Sequence, residues 1–134
     1  MNSDKICFPD LIVVDPNSHE YHALAIALRQ HDVRIDFFST GSEALRVVGA
    51  FPSILWIVNI RLPDVSGFSF LSLVRHRMPC CRVILVGDEY SVEDEVAARS
   101  AGATAYVCKP ASIAWMTGYR ARCRSPAIRA GPAP

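Results

Sequence analysis

Five short apolar runs punctuate this chain at regular intervals: Leu11 to Val14, Arg34 to Phe38, Ile54 to Val58, Val83 to Val86, and Thr104 to Cys108. Most are continuous rather than alternating. A strand that is apolar at successive positions must be buried on both faces, which is the situation in a parallel sheet covered by helices on either side. The segments between the runs carry helical marks. Tyr21, Leu24, Ala25 and Leu28 repeat at i, i+3, i+4, i+7 after Asn17, with Glu20 placed three residues beyond that cap. Thr40 and Glu43 form a second capping pair ahead of Ala44, Leu45 and Val48, with a stop at Gly49. A third helix is predicted over Gly67 to Arg77 and closed by Met78-Pro79. A fourth runs from Ser91 to Gly102, a glycine suited to the left-handed conformation of a helix terminator. A fifth, Ser112 to Cys123, has Ile113, Met116, Tyr119 and Cys123 on one stripe, despite Gly118 in its middle, which costs about 1 kcal/mol relative to Ala. Five strands alternating with five helices make a doubly wound α/β fold with a five-stranded parallel sheet.

The 134 residues suffice for one domain with its own core, and the balance of 51% hydrophobic and 20% charged residues is that of a globular protein. We place the domain at residues 1–124. Residues 125–134, rich in Pro, Ala and Arg, offer nothing to bury and are expected to be disordered. No apolar run approaches the roughly 20 residues needed to cross a bilayer, and no signal peptide precedes Asp10, so a cytoplasmic location is expected. The five cysteines Cys7, Cys80, Cys81, Cys108 and Cys123 have no CxxC spacing and read as thiols; His19, His22, His31 and His76 have no metal spacing. The last acidic residue is Glu95, and six positive charges follow it unopposed: Arg99, Lys109, Arg120, Arg122, Arg124 and Arg129. No aromatic interleaving suited to stacking bases accompanies them, so nucleic acid is not the expected partner.

In doubly wound sheets the functional crevice lies at the carboxyl ends of the strands. Read in order, those ends give Asp15, Asn59, Gly87-Asp88 and Lys109-Pro110. At this point the sequence resembles the receiver domains of two-component response regulators: LIVVDP, TGSEAL, IVNIRLPDVSG, RVILVG and AGATAYVCKP match receiver segments in order and spacing from Leu11 to Pro110. The resemblance implies a flavodoxin-like strand order 2-1-3-4-5. It also implies a phosphorelay function, in which a histidine kinase donates a phosphoryl group to an aspartate beside a magnesium ion.

Several positions depart from that pattern. Asn59 stands where the family carries the phosphorylated aspartate, and a neutral carboxamide is no nucleophile for phosphorus. Pro16 replaces one of the two adjacent acids after the first strand, leaving Asp15. Gly87 replaces the hydroxyl residue that meets the phosphoryl group, and Ser66 replaces an acid in a turn where Pro63 and Gly67 remain. Lys109 is retained and can pair with Asp15. With two of three carboxylates missing, no cofactor and at most a weak Mg²⁺ site are expected.

The expectation is therefore a pseudo-receiver that signals through protein–protein interaction, not an enzyme. Tyr106, at the family's switching aromatic, and Trp115, on the last helix, are candidates for the interface. Partners expected are signalling proteins, such as a histidine kinase or a second copy of the chain. One alternative is phosphorylation at a substitute carboxylate, Asp64 or Asp88. Another is a small anionic ligand held by Lys109 and backbone amides in the crevice. The residues after Pro110 leave no room for an output domain, so output is expected from another chain unless this is a fragment of a longer one.

Overall fold

A computed structural model of the chain describes residues 9–50 and 55–115. The strands are β1 (Leu11–Val14), β2 (Ile35–Phe38), β3 (Leu55–Asn59), β4 (Arg82–Gly87) and β5 (Ala105–Cys108). They form one sheet in the order β2-β1-β3-β4-β5, every neighbouring pair parallel. The α-helices are α1 (His22–Arg29), α2 (Gly41–Leu45), α3 (Gly67–Arg77) and α4 (Val92–Ala101), with a 3-10 turn at Ser18–Tyr21. Four α-helices, not the expected five, thus lie among the described residues. Most of the expected Ser112–Cys123 helix falls outside them, as do residues 125–134. No helix among the described residues is long and apolar enough to cross a membrane.

The continuous apolar runs are explained by two cores, one on each side of the sheet. Alternate residues of each central strand go to opposite sides, as the period-2 geometry of a strand demands. Ile12, Val14, Trp56, Val58, Val83 and Leu85 meet Ala44 of α2, Phe70, Leu71 and Val74 of α3, and Ala98 of α4. Leu11, Val13, Leu55, Ile57, Ile84 and Val86 meet Tyr21, Leu24 and Leu28 beneath α1. Each fully buried aliphatic or aromatic side chain contributes about 1.5–3 kcal/mol, so the central strands carry much of the hydrophobic stabilisation. The edge strands β2 and β5 are only partly covered.

The helix ends follow the local chemistry with two exceptions. Thr40, Ser66 and Ser91 each turn a hydroxyl to an amide of the following first turn, capping α2, α3 and α4. Ser66 therefore serves its helix. Gly102 closes α4 at φ 89°. The first exception is α1, which begins at His22 rather than just after Asn17. Asn17 makes no side-chain cap, and Glu20 is drawn away to Lys109. The second is α2, which ends at Leu45 and continues as turns to Ala50 rather than as helix to Gly49.

Candidate functional site

The carboxyl ends of β1, β3, β4 and β5 converge, and the two buried polar side chains among the described residues, Asp15 and Asn59, both lie there. Asp15 follows β1 directly. Its Oδ1 accepts from the Asn17 backbone N–H at 2.8 Å, a local turn that suits the Pro16 between them. Its Oδ2 accepts from the Tyr21 hydroxyl at 2.8 Å and from Asn59 Nδ2 at 3.0 Å. Burial, followed by the neighbouring Asp15 charge, pushes the Tyr21 phenol well above its ordinary range, so the hydroxyl remains a donor.

Asn59 closes β3. Its Oδ1 accepts from the Arg61 backbone N–H at 2.8 Å, which fixes the amide orientation and aims Nδ2 at Asp15 and at Asp88 Oδ1, 3.1 Å away. The β3–α3 loop is held against this strand end by Gly67, whose N–H donates to the Ile60 carbonyl at 2.9 Å. A side chain on Gly67 would run into the Asn59 backbone, so the tight loop depends on glycine for room.

Lys109, at the end of β5, reaches back across the sheet edge into the same cluster. Its Nζ lies 3.0 Å from Asp15 Oδ2 and 2.9 Å from Asp88 Oδ1, and it also pairs with Glu20 Oε1. The ammonium sits 5.8 Å above the Tyr21 ring centroid. An ammonium has three donors, and each finds a carboxylate here. Burial opposes its charge, but Glu20, Asp88 and Asp15 outweigh that cost and hold the Lys109 pKa above its ordinary value. The hydrogen bond from Lys109 in turn holds Asp88 below the usual carboxylate range, against a smaller opposing effect of burial. Three carboxylates face one ammonium, so the cluster retains a formal excess of negative charge.

The two candidate substitute carboxylates separate sharply. Asp88 belongs to the cluster. Asp64 faces the start of α2, where it accepts from the Ser42 hydroxyl and from the Gly41 and Ser42 backbone amides, and the Ser42 bonds lower its pKa. It fastens the β3–α3 loop to α2. Tyr106 and Trp115 also part company. Tyr106 packs against the core beneath α3 and α4, with Tyr90 at 6.1 Å, whereas Trp115 packs on the other side of the sheet, edge-on to Tyr21 at 6.4 Å. Of the late positive charges, Arg99 pairs with Glu95 and Lys109 is spent in the cluster; the other four lie outside the described residues. Among the described residues no three His, Cys, Asp or Glu side chains are grouped to hold a metal ion.

Glu20 and Tyr21 are site residues that sequence patterns assigned to other work, Glu20 to a capping box and Tyr21 to a helix stripe. The signal available was that both follow Asp15 within six residues, close enough for the turn after β1 to fold them back over the strand end.

Comparison with known proteins agrees with this architecture. The family model "Response regulator receiver domain" matches residues 11–118. The photosynthetic apparatus regulatory protein RegA of Cereibacter sphaeroides is 29% identical over 101 residues, 75% of this chain and 55% of that protein. The transcriptional regulatory protein KdpE of Mycobacterium tuberculosis is 33% identical over 100 residues, again 75% of this chain and 44% of that protein. The chain thus spans about half the length of the curated relatives it matches. Among solved structures, a CheY-like receiver domain protein from Methanospirillum hungatei superposes with a TM-score of 0.78 at 21% identity, covering 92% of this chain and 99% of that one.

Proposed function

The chain belongs to the response regulator receiver domain family, and from that premise we propose that it is a signalling module working through protein contacts, without an aspartyl phosphate at residue 59. The observation that carries this reading is the Asn59 amide, which donates to both Asp15 and Asp88. A nucleophile must present a lone pair to phosphorus, and the atom aimed into this crevice is an N–H donor instead. The partners are proposed to be proteins of a two-component pathway, a histidine kinase or a second copy among them.

We propose further that the module is independent of divalent metal. A magnesium ion needs the carboxylate oxygens that Lys109 Nζ already engages on Asp15, Asp88 and Glu20, and the ammonium provides the positive charge such an ion would bring. The residues present do not fit the ion. The same neutralisation works against an anionic ligand in the crevice, since Lys109 has no charge to spare.

The test is intact-mass spectrometry after treatment with acetyl phosphate and Mg²⁺. The expected result is no phosphoryl adduct, whereas an acid-labile adduct of one phosphoryl group overturns the reading. One observation favours a second reading: Asp88 Oδ1 lies beside both Lys109 and Asn59, as an acceptor carboxylate would. An adduct that vanishes in Asp88→Asn would establish that alternative.

A further inference from the structure

Gly87 ends β4 with a backbone that any residue could adopt; the positive-φ glycines among the described residues are Gly49 and Gly102. A side chain at this position would meet crowding rather than a conformational penalty. A Cβ placed there would lie 2.7 Å from Tyr106 Oη, 3.4 Å from Tyr106 Cε1 and 3.0 Å from the Glu89 carbonyl oxygen. The Tyr106 ring is therefore seated over Gly87, in space that any side chain at residue 87 would claim, with its hydroxyl 3.5 Å from the Glu89 carbonyl. On its outer side it meets Tyr90, which is 59% exposed. Gly87 and Glu89, the two residues that form this seat, flank Asp88, whose carboxylate is held by Lys109 at 2.9 Å and by Asn59 at 3.1 Å. One three-residue segment thus has its middle side chain tied into the ion cluster and its two flanks against the aromatic ring.

We propose that Asp88 couples the ion cluster to the outer face: pinned between Lys109 and Asn59, it holds residues 87–89 where Tyr106 seats over Gly87. The surface made by Tyr90 and Tyr106 then keeps one form with no phosphoryl group bound. A coupling of this kind needs a physical link that both ends bias, and the short segment 87–89 is that link. The proposal rests on the reading above in one respect, namely that no phosphoryl group enters the cluster.

The test is NMR of the full chain with labelled tyrosine. In the wild type, Tyr106 ring protons are expected to show cross-peaks to the Gly87 α-protons, and to keep a single set of shifts on addition of beryllofluoride and Mg²⁺. In Gly87→Ala the ring is expected to move off its seat, and in Asp88→Ala, at a half-exposed position, the same cross-peaks are expected to be lost. Wild-type cross-peaks that are absent, or that persist unchanged in Asp88→Ala, overturn the proposal, even if Gly87→Ala fails to fold. Such a failure with no phosphoryl adduct by mass spectrometry leaves the functional reading standing, whereas an adduct removes that reading first.

Discussion

Lys109 Nζ lies 3.0 Å from Asp15 Oδ2, with the lysine side chain 9% exposed and the aspartate fully buried. Exposed ion pairs are worth little, but removing one member of a buried pair leaves an uncompensated charge, at a cost of about 3–5 kcal/mol. The contacts of Lys109 with Glu20 and Asp88 are partly solvated, so the bond to Asp15 decides its contribution.

Lys109→Met keeps the unbranched apolar stem of the side chain and removes its charge. It is expected to destabilise the domain by about 3–5 kcal/mol in urea titrations.

Asn59→Asp replaces an N–H donor by a carboxylate beside Asp15 and Asp88. At neutral pH the two lost hydrogen bonds and the new repulsion are expected to cost about 2–4 kcal/mol, read as a lower urea midpoint. The triple variant Asn59→Asp, Pro16→Asp, Gly87→Thr is expected to gain acetyl phosphate labelling, and the wild type is expected to show none.

Tyr21→Phe removes one donor to a buried carboxylate and nothing else. Hydrogen bonds to charged groups contribute about 1.5–3 kcal/mol. Because Asp15 keeps Asn17, Asn59 and Lys109 as partners, the loss in thermal or urea unfolding is expected at the low end of that range.

Asp88 gives a pH signature. Its folded pKa lies below the ordinary 3.8, so its contribution to stability is present above about pH 4 and is lost as pH falls through the folded value. The stability difference between wild type and Asp88→Asn is therefore expected to be constant from pH 5 to 8 and to shrink below pH 4. A difference that grows on acidification would contradict the assigned bonding.

Gly67→Ala is expected to be among the most damaging small substitutions, because the new methyl meets the Asn59 backbone rather than a yielding side chain. A cost of about 1–3 kcal/mol is expected from overpacking. A melting temperature within a degree of the wild type would rule out the close loop approach.

The residue pattern was enough to specify the sheet, because a strand that is apolar at successive positions has one stable setting, covered on both faces, and β1, β3 and β4 show that pattern. It determined α3 and α4 as well, whose caps at Ser66 and Ser91 are local hydrogen bonds that need no distant partner. It also placed Asp15, Asn59, Asp88 and Lys109 at one end of the sheet. The tertiary structure alone decided what those groups do. Whether Glu20 would serve the start of its own helix or a lysine 89 residues away depends on which carries the stronger charge, and an ammonium at the edge of the core outcompetes a backbone amide. Likewise Asp64 and Asp88 are both loop acids in sequence, and only the folded chain sends one to the start of α2 and the other to Lys109. Periodicity and capping are read over a few residues, whereas electrostatic partners are chosen by distance in space, and distance in space exists only once the chain has folded.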